Sequence, residues 1–213
     1  MSKSLYIIGA GSVGGYIANN LQLMTTEYKI AGFFDDDPAK INSTAFGYPV
    51  LGTTSDILDM KDASVVIGIA FPRIKARIVE KLRTKSSFEY PSFIAERSWI
   101  SSNCVIGKGV IIYPGTMINY QTRIGDFVVM NMNCAIGHDC TIGDFTSLAP
   151  SVSLGGGTNI GAFTEMGIAS ATKQGIHIGE ACIVGGGAMV VGNVPDGLKV
   201  AGVPAKPINK TIS

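Results

Sequence analysis

The stretch Ile136-Gly-His-Asp-Cys-Thr-Ile-Gly-Asp144 decides the fold, because its isoleucine–glycine pair returns after six residues. Followed along the chain in both directions, this interval meets a large apolar residue at fifteen of sixteen positions, with Thr172 as the exception. In a chain that is 46% hydrophobic, chance would produce this about once in ten thousand trials, so the repeat is real. The sixteen positions are Ile100, Ile106, Ile112, Ile118, Ile124, Met130, Ile136, Ile142, Leu148, Leu154, Ile160, Met166, Thr172, Ile178, Val184 and Val190.

A six-residue repeat of this kind is typical of short strands joined by tight turns. Side chains alternate along a strand, so the large aliphatic residue and the small residue two positions before it should both point inward. Glycine often follows the aliphatic residue, as at Gly137 and Gly143, and we expect it there because the chain turns with unusual dihedrals. Three hexads make a coil of 18 residues, so residues 93–213 are predicted to form a parallel β-helix of about five coils.

The cysteines and histidines do not suggest a metal site. Four cysteines occupy the inward small-residue position, where we expect core packing without disulfides, and their spacing makes no zinc motif. The two histidines, His138 and His177, lie 39 residues apart in different phases of the repeat, so the three ligands of a β-helix carbonic anhydrase are not available. The cysteines are Cys104, Cys134, Cys140 and Cys182.

Residues 1–92 follow a different pattern, in which strand-like and helical segments alternate. This alternation predicts a small Rossmann-like βαβ domain with a parallel sheet. The predicted strands are Ser4–Ile8, Lys29–Phe34 and Ala63–Ile69, and the predicted helices are Tyr16–Leu23 and Arg73–Thr84.

A glycine motif, Gly9-x-Gly11-x-x-Gly14, follows the first predicted strand and opens the first helix, with Asp35 about twenty residues further on. Glycines at this place let the backbone approach a phosphate at the helix N-terminus. The domain has the size of one mononucleotide half, so a mononucleotide diphosphate fits better than NAD. A tight turn without any ligand is the alternative.

His138 follows the glycine at a predicted coil corner, so its side chain should point outward, with Tyr120 one coil below and Gly156 one coil above. Imidazole can accept a proton from an amine or a hydroxyl near neutral pH, and the neighbouring Asp139 could fix its tautomer. The alternative is an ordinary surface histidine. His177 is interpreted as structural, and Asn131 as either a turn residue or a substrate contact.

Composition excludes several classes of function. The formal net charge of +1 gives no basic excess for nucleic acid, and the longest apolar runs are too short to insert in a membrane. The first residues lack the pattern of a signal peptide, so a cytoplasmic location is expected.

The order of these features resembles a known family. A small domain with Gly-x-Gly-x-x-Gly and Phe34-Asp-Asp36 precedes hexads with the His138–Asp139 pair, and the chain ends in Val194-Pro-Asp-Gly-Leu-Lys-Val-Ala-Gly-Val-Pro-Ala-Lys206. This combination is similar to the bacterial acetyltransferases that act on nucleotide-linked amino sugars in bacillosamine and perosamine synthesis. Sialic acid O-acetyltransferases are similar as well.

The resemblance implies a left-handed β-helix, a homotrimer with active sites between adjacent β-helices, and acetyl-CoA as co-substrate. It implies that His138 is the general base and Asp139 its acidic companion. The sequence departs from the family at one place, where Ile69-Ala70-Phe71-Pro72 stands instead of a glycine-containing turn. The pocket for the nucleotide's base or for the sugar therefore stays unassigned. The implied contacts are Gly11, Ser12, Val13, Asp35 and Asp36 for the nucleotide, Asn131 for the sugar, and Ser147, Ile168 and Gly186 for acetyl-CoA.

The function expected from the resemblance is N-acetylation of the 4-amino group of a nucleotide-linked amino-deoxy sugar. Three alternatives stay open at this point: O-acetylation of a sialic acid or another sugar, a non-catalytic nucleotide-binding scaffold, and, last, an NAD-linked oxidoreductase. The donor for the reaction's oxyanion is not identified, and Gly155–Gly157 is one candidate region.

Overall fold

The computed structural model describes residues 2–84 and 87–208. The chain divides into two compact units, Met1–Phe93 and Ile94–Ser213. Part of the C-terminal tail, residues 209–213, lies outside the described residues.

The N-terminal unit is built on a six-stranded sheet in the order β3-β4-β2-β1-β5-β6, in which only the β3–β4 pair is antiparallel. All predicted strands and helices are present with shifted ends, and the sequence reading missed the β3–β4 hairpin and β6. The strands are β1 (Lys3–Ile8), β2 (Tyr28–Phe34), β3 (Thr44–Ala45), β4 (Tyr48–Gly52), β5 (Ala63–Ile67) and β6 (Phe88–Glu89). The helices are α1 (Ser12–Met24) and α2 (Pro72–Leu82), with a 3₁₀ turn at Asp56–Asp59.

The parallel order brings three loops to one edge of this sheet. Strands β1 and β5 are neighbours in the centre, and every residue of β5 is buried, as expected for a strand covered on both faces. The carboxyl ends of β1, β2 and β5 lie at the same edge, so the segments that follow them, 9–11, 35–37 and 68–71, meet there.

The C-terminal unit is a parallel β-helix with three faces, and it is left-handed, as the resemblance implied. Strands pair with the strand 18 residues away, as in Ile118↔Ile136 and Ile124↔Ile142. Face I holds β7 (Phe93–Ile94), β10 (Ile111–Ile112), β13 (Val129–Met130), β16 (Ser147–Leu148), β19 (Glu165–Met166), β22 (Ile183–Val184), β24 (Lys199–Ala201) and β25 (Lys206–Pro207). Face II holds β8 (Trp99–Ile100), β11 (Met117–Ile118), β14 (Ala135–Ile136), β17 (Ser153–Leu154), β20 (Ala171–Thr172) and β23 (Met189–Val190). Face III holds β9 (Val105–Ile106), β12 (Arg123–Ile124), β15 (Thr141–Ile142), β18 (Asn159–Ile160) and β21 (His177–Ile178).

The core of the β-helix confirms the inward positions of the repeat. The aliphatic residues from Ile112 to Val190 are buried, and the small residues two positions before them are buried with them. The four cysteines are free thiols, and burial raises the pKa of Cys134 to about 11, which suppresses its reactivity.

The expectation for the repeat glycines was wrong about their conformation. Left-handed backbone occurs two residues later, for example at Asp139 (φ +56°) and Gly157 (φ +70°). Gly137 and Gly143 are glycines because the next coil is too close for a side chain. A Cβ would lie 2.6 Å from the nitrogen of Gly156 and 2.4 Å from that of Ala162, respectively.

Residues 199–207 continue the β-helix before they end it. Strand β24 pairs in parallel with β22, and β25 then turns back antiparallel to β24. Across residues 2–84 and 87–208, no helix is long and apolar enough to cross a membrane.

Candidate active site

His138 lies at the corner between β14 on face II and β15 on face III. It is the first of two turn residues there, and its side chain is 43% exposed, so it points outward as predicted. A corner position gives the imidazole access to a ligand while the coil fixes its backbone.

Two neighbours hold the imidazole in one orientation. Its ring stacks on that of Tyr120, one coil below, with 5.2 Å between centroids and planes 7° apart. Its Nδ1 lies 2.6 Å from Oδ2 of Asp139. A proton on Nδ1 donates to this carboxylate, and Nε2 then keeps its lone pair and can act as a base.

Gly156 opens a notch above the imidazole. A Cβ at this residue would lie 2.6 Å from Nε2 and 2.8 Å from Cε1 of His138. Such a Cβ would also lie 3.0 Å from Cδ2, so it would sit over the face of the ring, and the absence of a side chain lets the imidazole lie against this coil.

The N–H groups of Gly155–Gly157 have different partners. The N–H of Gly155 donates to Oγ1 of Thr172, and that of Gly157 donates to the carbonyl of His138. Within residues 2–84 and 87–208, the N–H of Gly156 has no protein acceptor. It is the one donor of this segment that is available to a ligand.

The other predicted contacts of the β-helix lie elsewhere on the coils. Ser147 belongs to β16 on face I, and Ile168 and Gly186 lie at the corner between faces I and II, stacked on each other. Asn131 occupies the same corner, where its Oδ1 accepts the N–H of Met132 in the turn. One chain therefore does not bring these four residues to His138.

A groove on face II leads to the His138 corner, and the sequence reading missed it. It has a volume of about 480 Å³, with Trp99 and Met117 at one end and the small residues Ala135, Ser153 and Ala171 along it. Gly137 and Gly155, which flank the histidine notch, also line the groove. The sequence did contain an indication of the groove. At the outward strand position of face II, the large residues Trp99 and Met117 are followed by the small residues Ala135, Ser153 and Ala171.

The N-terminal unit contains a separate cleft at the sheet edge where the three loops meet. Its volume is about 330 Å³, and it brings together all five residues predicted to bind the nucleotide. Helix α1 opens into it with Gly11 as N-cap, without a side-chain cap or an acidic residue in its first turn. The first N–H groups of a helix have no partner within it, so they are available to an anion. The five residues are Gly11, Ser12, Val13, Asp35 and Asp36.

Asp35 ties the glycine loop to the end of β2. Its carboxylate accepts the N–H groups of Ala10 (2.7 Å) and Asp37 (3.0 Å) and the ammonium of Lys40 (3.0 Å). Burial alone would raise the pKa of Asp35, but these donors outweigh it and the pKa is lowered. Asp36 is similarly engaged, since both its oxygens bind Thr54.

The sequence reading also missed several residues that line this cleft. Lys40 and Thr54 are polar members of its lining, and only their position after the carboxyl ends of strands could have indicated them. The departure at residues 69–71 supplies an apolar wall, in which Phe71 is 61% exposed. An exposed aromatic ring beside helix N–H groups suits a ligand with both a planar base and phosphates.

No metal centre competes with these sites in the described part of the chain, where no three His, Cys, Asp or Glu side chains are grouped to hold an ion. His177 lies on β21 of face III, and its backbone N–H donates to Asn193. Its side chain is exposed, and the structural interpretation stays a prediction.

The comparisons with known proteins agree with both units. Residues 4–82 match the family model of the PglD N-terminal domain. The acetyltransferase domain of PglB from Neisseria gonorrhoeae FA1090, in complex with acetyl coenzyme A, is 28% identical, with a TM-score of 0.88 over 98% of this chain and 100% of that one. PerB from Caulobacter crescentus, in complex with CoA and GDP-perosamine, is 28% identical, with a TM-score of 0.88 over 97% of both chains. WeeI from Acinetobacter baumannii AYE is 27% identical, with a TM-score of 0.84 over 96% of this chain and 99% of that one. Among curated proteins, none matches the sequence.

Proposed function

The chain is an acyltransferase of the hexapeptide-repeat sugar acetyltransferase type, and on that premise we propose that it N-acetylates the 4-amino group of a nucleotide-linked amino-deoxy sugar. Acetyl-CoA is the proposed donor. The observation that carries the proposal is the His138 corner, where Asp139 binds Nδ1 and the ring lies between Tyr120 and Gly156. The structure of PerB with CoA and GDP-perosamine supports the substrate class.

The proposed mechanism uses two groups of the corner. The sugar amine attacks the thioester carbon, and Nε2 of His138 accepts the proton that the amine loses. The N–H of Gly156 donates to the oxyanion of the tetrahedral intermediate. Collapse of the intermediate breaks the carbon–sulfur bond, and the imidazolium returns the proton to the CoA thiolate. Base catalysis contributes roughly 10²–10⁴-fold, and positioning of the two substrates supplies the larger share.

The positions of the predicted acetyl-CoA contacts relative to His138 support a homotrimer. The residues assigned to acetyl-CoA, Ser147, Ile168 and Gly186, lie on face I or at the corner between faces I and II, whereas His138 lies between faces II and III. A second copy of the chain is needed to bring such a contact set to His138. This supports a homotrimer with acetyl-CoA held between adjacent β-helices. Free thiols such as Cys104 fit a reducing compartment, so we place the reaction in the cytoplasm.

The nucleotide is assigned to the cleft of the N-terminal unit, where Gly11 and Gly14 give a matched pair of tests. A Cβ at Gly11 would meet nothing within 4 Å, whereas one at Gly14 would lie 2.0 Å from the carbonyl oxygen of Gly9. We expect Gly11→Ala to keep the melting temperature but raise the Kd for the sugar nucleotide at least about tenfold, since the methyl fills the phosphate path. Gly14→Ala should instead lose stability, by about 1–3 kcal/mol or more.

Isothermal titration calorimetry and thermal melting of both variants decide this assignment. Unchanged nucleotide affinity in Gly11→Ala would place the nucleotide elsewhere.

The function itself is tested by thiol release from acetyl-CoA with UDP-, GDP- and dTDP-linked 4-amino-4,6-dideoxy sugars. We expect release with at least one of them, together with a product heavier by one acetyl group. No release with any of them, but release with free sialic acids, would establish O-acetylation in place of the proposed reaction. Nucleotide binding without turnover of any acceptor would favour a scaffold.

A further inference from the structure

Thr172 is the one residue of the sixteen repeat positions that is not large and apolar, and its hydroxyl joins a closed ring of hydrogen bonds. The N–H of Gly155 donates to Oγ1 of Thr172 (3.1 Å). The two hydroxyls of Thr172 and Thr158 are 2.9 Å apart, and Oγ1 of Thr158 donates to the carbonyl of Gly155 (2.6 Å). Each hydroxyl has one proton, so Thr172 must donate to Thr158, and the ring runs in one direction.

The ring replaces the regular pairing of the β-helix at this place. At the equivalent glycines Gly137 and Gly161, the N–H donates to a main-chain carbonyl of the next coil, that of Leu154 and Ile178 respectively. At Gly155 the acceptor is the side chain of Thr172.

Thr158 departs from its counterparts in the same way. Four threonines at the same position of the repeat donate to the carbonyl fifteen residues ahead, at distances from 2.8 to 3.1 Å. For Thr158 that contact, to Lys173, is 3.5 Å, and its short bond goes back to Gly155. The four are Thr116, Thr122, Thr146 and Thr164.

The ring of hydrogen bonds lies next to the candidate active site. Gly155 precedes Gly156, which lies over the imidazole of His138 and whose N–H has no acceptor within residues 2–84 and 87–208. Both polar groups of the Gly155 backbone are held by buried hydroxyls, Thr158 being fully buried and Thr172 6% exposed. Buried, fully satisfied rings of this kind are rigid, because their members polarise one another.

We propose that Thr172 and Thr158 are positioning residues, which set the height of Gly156 over His138 and so aim the Gly156 N–H at the reacting carbonyl. This inference rests on the proposed function for its chemistry, although the ring itself is independent of it. A 1 Å change in such a position can cost about 100-fold in rate.

Thr172→Val separates positioning from stability. Valine matches threonine in shape and restores the apolar pattern, and the Gly155 N–H can return to the main-chain carbonyl of residue 172. We therefore expect a melting temperature equal to or above that of the wild-type protein, with kcat reduced about 10- to 100-fold. Thr172→Ser keeps the hydroxyl and should recover most of the activity.

Thr164→Val is the matched control, because Thr164 is a buried threonine that makes the regular bond. It should lose some stability and keep its kcat. Wild-type kcat in Thr172→Val would overturn the proposal. A lower kcat in Thr172→Val would also overturn it if the melting temperature fell together with kcat.

If the wild-type protein acetylates no acceptor, the proposed function fails separately. A crystal structure of Thr172→Val then decides the positioning role, and a Gly156 that has not moved relative to His138 would overturn it.

Discussion

Replacing His138 with alanine is expected to lower kcat for sugar acetylation by about 10²- to 10⁴-fold, the range that general base catalysis contributes. The side chain is 43% exposed at a corner, so its removal should leave the fold and its melting temperature nearly unchanged. Acetyl-CoA should still bind, because its assigned contacts lie at another corner of the coil. Thiol release at saturating substrates measures the effect.

His177 provides the control, since it is the other histidine of the sequence. His177→Ala removes an exposed imidazole from face III and should leave kcat near the wild-type value. A His138→Ala enzyme with full activity would remove this residue as the base. Equal losses in both variants would indicate a general structural effect instead.

Gly156→Ala is expected to reduce kcat/KM for the acceptor by about 100-fold or more, with little change in melting temperature. The added methyl would lie 2.6 Å from Nε2 of His138, over the face of the ring, which is closer than a Cβ contact allows. The imidazole can shift to relieve the contact, but it then leaves its stacked position on Tyr120. A displacement of about 1 Å at the reacting atoms is enough for a loss of this size.

Gly192→Ala is the matched control for this substitution. Gly192 occupies the same place after a face II strand, two coils further on, and a Cβ there meets nothing within 4 Å. Its activity should equal that of the wild-type protein, and acetyl-CoA affinity measured by calorimetry should be similar in both variants. Normal acceptor kinetics in Gly156→Ala would show that the position of the imidazole beneath Gly156 is not required for the reaction.

The β-helix could be predicted from the sequence because each coil repeats the same local requirement. Aliphatic residues at every sixth position are all buried when strands 18 residues apart stack on one another. The pair Ile118↔Ile136 has that register. The same arithmetic placed Tyr120 below His138 and Gly156 above it, which the ring stacking and the notch confirm. In the N-terminal unit, strand and helix periodicity predicted the elements but missed the short hairpin β3–β4, whose two-residue strand Thr44–Ala45 is too brief to show alternation.

The repeat glycines show where local reasoning failed. Gly137 was expected to serve an unusual dihedral, but its requirement comes from the coil above, and contacts between coils are not visible in a hexad taken alone. The Asp35 carboxylate is a similar case, because the sequence indicated a ligand contact and the fold also gives it three donors from within the protein.

The sequence by itself determined the two-part organisation, the inward and outward positions of the β-helix, and the His138–Asp139 pair, because each depends on spacing along the chain. Only the tertiary structure decided which hydrogen-bond donors remain free. It committed the N–H groups of Gly155 and Gly157 to Thr172 and His138, and among the residues that the structure describes it gave that of Gly156 no acceptor. The physical reason is that spacing along the chain fixes the direction of a side chain, whereas hydrogen-bond partners depend on which atoms the stacked coils bring within about 3 Å of one another.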